Sequence, residues 1–397
     1  MDKYMKLKRK KELLKQLNEI KDFRNDDKIT YPLNEVLFIS LFGLLKGNHT
    51  FEQLHDWYEF NSTNKIFLKL FNKKVLNVPC ESTLHRILVN TDNEALEKVF
   101  VNFFAKYVKK KNIAVDGKWL NGSDVHGQYT KESHKLIFNI FDKDSKIVIA
   151  HRFLKKGKLS EIPAFKELLE DDTFNQGGQI FSFDALMTQV EILDTINNAN
   201  NKYIAKVKYN QKALRDKVEL TVNNFHKPTQ TYEDTDIFQT ENNKSVKRKV
   251  DIYQNIDCDI VMYDNRFKSI QTIIKTTKEI VNNITGEVKI TIQYLIANFK
   301  TSAKEFKDII LQHWGVETYH YHLDMLTRED AHICYVDPFS ISILRSFAVN
   351  LYQLFFNKYK GEKIIVENVQ TKKPLTMART KRYCENSDIF ISDIFEL

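Results

Sequence analysis

At about residue 110 the hydrophobic period of the chain changes, and a single secondary-structure class cannot accommodate both sides of the change. Before it, apolar residues recur at helical spacing. YPLNEVLFISLFGLLKG reads as a buried helix stopped by Gly47, and FEQLHDWYEF as a helix capped by Thr50 with Leu54, Trp57 and Tyr58 in register. PCESTLHRILVN reads as a helix after Pro79, with Ser82 as its cap and Leu84, Ile87 and Leu88 on one face. After the change, short apolar runs take over. KKKNIAVDGKWL predicts a strand ending at Asp116–Gly117, and LIFNIFD (136–142) and KIVIAHRFL (146–154) predict a hairpin through Lys143–Asp144–Ser145. A helix from Ile162 to Leu169, the strand QIFSFDA (179–185), the helix VEILDTINNA (190–199) and the strand KYIAKVK (202–208) follow, the last with Lys206 and Lys208 on one face. The chain is therefore a helical domain followed by an α/β domain.

Beyond residue 213 the pattern shifts again. One helix, DKVELTVNNF, precedes a charged stretch, ENNKSVKRK, and the strands VDIYQ, DIVMYD, SIQTIIKT and VKITIQYLIANF, so that 213–297 reads as a β-rich insertion or peripheral layer. Residues 302–325 read as one long helix capped by Ser302, and 338–357 as another after Pro338. The expected domains are 1–108, then 109–360 with the insertion inside it, then a tail over 361–397.

Composition narrows the function classes. With 42% hydrophobic and 28% charged residues, 11 Gly and 6 Pro, the chain is neither collagen-like, linker-like nor disordered. A net charge of +8 suits a polyanionic partner without requiring one. The longest apolar run, Val36 to Leu45, falls short of the roughly 20 residues of a membrane helix, and the basic N-terminal arm has no signal-peptide core. Cys80, Cys258, Cys334 and Cys384 form no CxxC pair, as expected for reduced thiols in the cytosol.

The order strand, strand, strand, helix, strand, helix, strand, with a helix after an insertion, matches a ribonuclease-H-like α/β core. In that fold the ends of the first and fourth strands lie side by side. Asp116 closes the first strand and Asp184 the fourth, and Glu317 lies on the late helix. Three such carboxylates are suited to two Mg²⁺ ions about 4 Å apart, the arrangement for in-line attack on a phosphodiester. Each has a plainer reading: Asp116 as a turn residue, Asp184 as a helix cap, Glu317 as one of 52 acids. His320, His322, His332 and Cys334 do not form a zinc site on one helix, because residues two apart point about 200° apart. There is no phosphate-binding Gly-rich loop and no recognisable Ser–His–Asp set. Basic runs at Lys109–Lys111, Lys155–Lys158, Lys244–Lys249 and Arg379–Arg382 are either solvated faces or phosphate tracks.

Along nearly its whole length the chain resembles bacterial insertion-sequence DDE transposases of the H-repeat-associated group. The series is ordered: YPLNEVLFISLFGLLKGNHTFEQLHDW and PCESTLHRIL, then AVDGKWLNGS, KLSEIPAFKELL, FSFDALMTQVEI, KYIAKVKYNQKAL and HWGVETYHYHLDMLTREDA. The resemblance implies that Asp116, Asp184 and Glu317 are the catalytic, metal-binding acids, with Mg²⁺ as cofactor and Mn²⁺ as substitute. It implies a DNA transposase that cuts element ends and joins the 3′-OH to target DNA by two-metal phosphoryl transfer. The partners would be double-stranded DNA, as terminal inverted repeats and target, held by a homodimer in the bacterial nucleoid, with the helical domain binding DNA or assisting assembly. Lys118, Trp119, Lys208, Asn210, Gln211 and His313 are the candidate DNA contacts. Neighbouring transposase groups carry Arg four residues before the Glu and Lys seven after it; here those positions hold His313 and Asp324. His313, Glu317, His320 and Asp324 would share one face of a continuous helix, with Asp324 an extra or alternative metal ligand. Two other classes share these features: a domesticated or inactive DNA-binding protein, and a simple metal nuclease without strand transfer.

Overall fold

The computed structural model describes residues 5–123, 135–154, 161–224, 227–238, 244–254, 267–331, 334, 337–366, 369–371 and 373–395. The chain divides into two compact units. One comprises Met1–Val108, Gly117–Lys158 and Glu317–Leu397, the other Lys109–Asp116 and Leu159–Val316. One of the divisions falls inside strand β1 (Asn112–Trp119), between Asp116 and Gly117.

The first unit is mostly helical, with a long hairpin and a short antiparallel pair, Ile365–Val366 with Val369–Gln370, among its described residues. The helix Leu33–Leu45 is buried on every side, as its nearly unbroken apolar sequence requires. The chain leaves it through Gly47 at φ +86°, a conformation strained for any residue with a Cβ. Phe51–Phe60 opens with a capping box between Thr50 and Gln53. Glu81–Val89 begins two residues earlier than its sequence suggested, so Cys80 is the N-cap and Ser82, the expected cap, lies in the first turn. Leu84, Ile87 and Leu88 are buried as expected. The helix Phe339–Tyr359 is long and apolar enough to cross a membrane, but here it is a core helix, buried from Phe339 to Phe355. Its polar side chains tie it to its neighbours: Tyr352 donates to the Leu45 carbonyl at 3.0 Å, and Asn350 exchanges two bonds with the Val148 backbone. Strands β2 (Leu136–Asp142) and β3 (Ile147–Leu154) form the expected antiparallel hairpin. Its turn is fixed by the Asp142 carboxylate, which accepts from the backbone and hydroxyl of Ser145.

The second unit is built on a twisted sheet. The first part of β1 pairs in parallel with β4 (Ile180–Phe183), and β4 pairs in parallel with β5 (Lys202–Val207). The connection from β4 to β5 carries the helix Val190–Asn198, whose buried Ile192, Leu193 and Ile196 lie at helical spacing. The β-rich region then departs from expectation. It is not a peripheral layer but an extension of the same sheet. After β6 (Gln230–Phe238), β7 (Lys244–Gln254) and β8 (Thr272–Asn282), strand β9 (Val288–Ala297) returns to pair antiparallel with β5, and the order outward is β9, β8, β7, β6. QTYEDTDIF, which has no apolar alternation, is all strand, and the charged stretch enters β7 from Lys244 onward. Cross-strand ion pairs explain why: Lys247 meets Glu233 at 2.6 Å and Arg248 meets Asp236. DIVMYD lies outside the described residues.

The predicted long helix at 302–325 is two helices. Ala303–His313 is capped by Ser302, and its Phe306 and Ile309 pack on Ile252, Ile274, Leu295 and Ala297 of the sheet. It tightens at its end, where the Trp314 N–H reaches back to the Leu311 carbonyl, and Gly315–Thr327 then starts afresh. The last division between units falls between Val316 and Glu317. His313 therefore does not share a continuous helical face with Glu317, His320 and Asp324.

Candidate active site

The first two acids are placed by sheet register. β1 and β4 run parallel with Asn112 opposite Ile180 and Ala114 opposite Ser182. Asp116 lies two residues after Ala114, inside β1 rather than at its end as expected, and Asp184 lies two residues after Ser182, directly beyond β4. Asp184 leaves β4 in an extended conformation and leads into a short 3₁₀ turn, Ala185–Met187. Asn210 donates to the Ala185 carbonyl at 3.0 Å, and Gln211 donates to the Thr188 carbonyl. Both were expected at DNA; here their side-chain amides brace the turn that presents Asp184.

The Asp184 carboxylate faces two ammonium groups, Lys208 at 3.0 Å and Lys206 at 3.7 Å. Burial pushes the carboxyl pKa up, but the Lys208 hydrogen bond, the Ala185 N–H and the charges of both lysines outweigh it and hold it below the ordinary aspartate value. Lys206 also sits over the Trp314 ring, 5.7 Å from its centroid. His313 bonds through Nδ1 to the Ser182 hydroxyl at 2.9 Å, two residues before Asp184, so this expected DNA contact is engaged with β4. Trp314 and Lys206 also line a cavity of about 460 Å³ and a smaller neighbouring one respectively, the first bordered by Arg248, Lys278, Lys289 and Lys307. Neither residue was singled out for a role at the site by its sequence, although the HWGVE and KVK motifs contain them.

In the other unit, Glu317 is exposed in the first turn of Gly315–Thr327, where a carboxylate complements the helix dipole. Trp119, the last residue of β1, is half-buried. Lys118 differs from the DNA-gripping residue expected there. Its side chain is only 7% exposed, and its Nζ lies 2.8 Å from Asp324, 3.0 Å from Asp330 and 3.9 Å from Glu329. Burial lowers the Lys118 pKa, but the charge of Glu329 and the bonds to Asp324 and Asp330 reverse this and raise it, so the ammonium stays charged. Asp324, considered as an extra metal ligand, is instead a partner of this lysine. His320 accepts from the Asn139 amide at 2.9 Å, and desolvation with the nearby Lys118 charge lowers its pKa to about 3, so the ring is neutral. His332 and the Lys155–Lys158 run lie outside the described residues. Among the described residues no group of three or more His, Cys, Asp or Glu is gathered closely enough to hold a metal ion.

Comparison with known proteins then decides the family. The model of the transposase DDE domain matches residues 108–345, more than half of the chain, and that of the DDE_Tnp_1-associated domain matches residues 14–104. The chain belongs to the DDE transposase family. Two relatives agree with the insertion-sequence assignment. "Putative transposase YncI" of Escherichia coli O157:H7 is 25% identical over 329 residues, covering 80% of this chain and 81% of that protein. "H repeat-associated putative transposase YhhI" of Escherichia coli (strain K12) is 23% identical over 331 residues, covering 81% and 84%. A piggyBac transposase, solved as a synaptic complex with hairpin DNA, aligns over 96% of this chain and 78% of its own at 13% identity; its TM-score of 0.46 is too low to bear on the fold.

Membership of the DDE transposase family implies divalent-metal use in general. The chemistry of Asp116, inside β1, and Asp184, just past β4, fits such an ion. Asp116 and Asp184 are hard oxygen donors, Asp184 is held ionised, and two ammonium groups already stand where a cation would neutralise it.

Proposed function

We propose that this transposase cuts DNA at the ends of its element and joins the freed 3′-OH to target DNA by metal-dependent phosphoryl transfer on a ribonuclease-H-like core. The observation that supports the reading is the parallel pairing of β1 with β4, whose register ends with Ala114 opposite Ser182, two residues before each acid. Glu317 supplies the third carboxylate; its support is the order of the family motif and its exposure in a first helical turn. Asp116, Asp184 and Glu317 would hold two Mg²⁺, with Mn²⁺ as substitute. When bound, the metals lower the pKa of the attacking water or 3′-OH and neutralise charge on the leaving oxygen.

The chain's own groups do the rest. Asn210 and Gln211 fix the turn after Asp184. Lys206 and Lys208 keep Asp184 ionised before metal arrives, and Lys208, half exposed, is then available to a DNA phosphate. Trp119 offers a partly exposed aromatic edge near the cut. The partners are terminal inverted repeats and target DNA, bound by a homodimer in the nucleoid.

The test uses a plasmid carrying the element's flanking DNA, incubated with wild type, Asp116→Ala or Asp184→Ala in Mg²⁺ and in Mn²⁺. Wild type should cut and join, and both variants should bind DNA without cutting. Wild-type binding without cleavage in either metal identifies the inactive DNA-binding protein, and cleavage without joining the simple nuclease. Near-normal cleavage by either variant overturns the site assignment.

A further inference from the structure

Lys118 lies two residues after Asp116 in β1, and Asp324 lies two helical turns after Glu317 in Gly315–Thr327. The ammonium of Lys118 reaches Asp324 at 2.8 Å and Asp330 at 3.0 Å, with Glu329 at 3.9 Å. Lys118 and Glu329 are both buried, at 7% and 3% exposure. Arg345, also buried, contributes a second positive charge to Glu329 and is anchored to the His49 carbonyl at 3.0 Å. A lysine this enclosed is not available to a DNA phosphate. One buried cation shared by carboxylates from the helix Gly315–Thr327 and the 3₁₀ turn Glu329–Ala331 restrains the strand end that carries it.

We infer that Lys118 is a positioning residue for the transposase's metal site: an internal cation that fixes the end of β1 to the helix bearing Glu317, and so sets how the Asp116 carboxylate is presented. This rests on the proposed roles of Asp116 and Glu317.

The test measures Mn²⁺ binding to the full-length protein by calorimetry, without DNA, for wild type, Asp116→Ala, Lys118→Met and Asp324→Asn. Binding of generic duplex DNA is followed alongside it as a function of salt. Asp116→Ala should lose the Mn²⁺ site; if it binds Mn²⁺ as wild type does, the proposed acid roles fail, and the positioning role with them. Given that loss, Lys118→Met should bind Mn²⁺ about tenfold more weakly, and Asp324→Asn, which keeps the ammonium and removes one anchor, about threefold more weakly. The slope of log K for DNA against log salt should be unchanged in both. Wild-type Mn²⁺ affinity in a folded Lys118→Met protein, with Asp116→Ala still inactive in binding, overturns the positioning role alone. So does a DNA salt slope reduced by about one in that variant, the mark of a lost phosphate contact. If Lys118→Met does not fold, Asp324→Asn decides: unchanged Mn²⁺ affinity there overturns the inference.

Discussion

Two lysine–carboxylate assemblies in this protein have opposite composition. At Asp184 one carboxylate faces two lysines, and the partners are open to water: the Asp184 side chain is 34% exposed and that of Lys208 50%. At Lys118 one lysine faces three acids, and the lysine is closed off. Exposed ion pairs gain little because water competes for both charges, so the lysines at Asp184 can be exchanged for another cation at small cost. A buried cation among carboxylates has no such alternative, and losing it strands several desolvated charges. The first assembly gives up its ion pairs at small cost, and the second does not.

The sharpest way to break this comparison is at the carboxylate itself. Asp184→Ala should reduce strand cleavage by about a thousandfold or more, because metal-assisted charge stabilisation contributes several kcal/mol to such reactions. Its thermal unfolding should stay close to that of wild type, since the acid is no core contact. A large loss of stability together with modest loss of cleavage would make Asp184 structural and erase the distinction.

The second test reverses the expectation. Lys118→Met should lower the free energy of unfolding by about 3 kcal/mol, the scale for removing one partner of a buried pair, as measured by denaturant titration. An effect below about 1 kcal/mol would place Lys118 in the same class as Lys208.

A third prediction concerns pH beside the buried assembly. The His320 pKa is depressed from 6.5 to about 3, so the unfolded chain takes up a proton more readily than the folded one. This contribution is fully present above the unfolded value and is lost as pH falls from about 6.5 toward 3, at up to about 1.4 kcal/mol per unit. Asp324 and Glu329, whose pKa values are raised mainly by burial, act in the opposite sense as they protonate. Comparing wild type with His320→Gln isolates the histidine: the variant should lose less stability between pH 6.5 and 4.5. Parallel curves would show that His320 titrates normally.

The smallest effect is expected at the exposed assembly. Lys208→Ala should change stability by less than about 1 kcal/mol while raising the Asp184 pKa toward its ordinary value, read from the pH dependence of its carboxyl NMR signal. Because a depressed aspartate pKa stabilises only above its unfolded value, the difference between variant and wild type should vanish as pH falls through the Asp184 pKa. An Asp184 pKa that does not move would remove Lys208 from the assembly.

The legible parts of the molecule were local. The strand through AVDG, though not its end at Trp119, the LIFNIFD hairpin and FSFD could be read because apolar period and turn chemistry are written in adjacent residues. Other features had no local signature. QTYEDTDIF and the lysine-rich start of β7 are paired strands, with charges meeting across them, which their polar composition did not announce. Ser82 has the right chemistry for a cap and the wrong position by two residues. The helix stops at Trp314 where the chain passes from packing on the sheet to the next helix, which apolar spacing did not reveal.

Sequence alone placed Asp184 directly after a strand, since a short apolar run followed by a polar residue needs no distant partner; it also ended the first strand at Asp116, whereas β1 continues through Asp116 to Trp119. It could not determine what the lysines near them do. Lys118 and Lys208 each follow an apolar strand and carry the same charge, and in sequence they are equivalent candidates for DNA. Tertiary structure separated them by bringing Asp324, Glu329 and Asp330, more than two hundred residues away, around one ammonium while leaving the other in water. Charge is a property of a residue, but the strength of a charge interaction depends on the dielectric around it, and burial sets that dielectric only once the chain has folded.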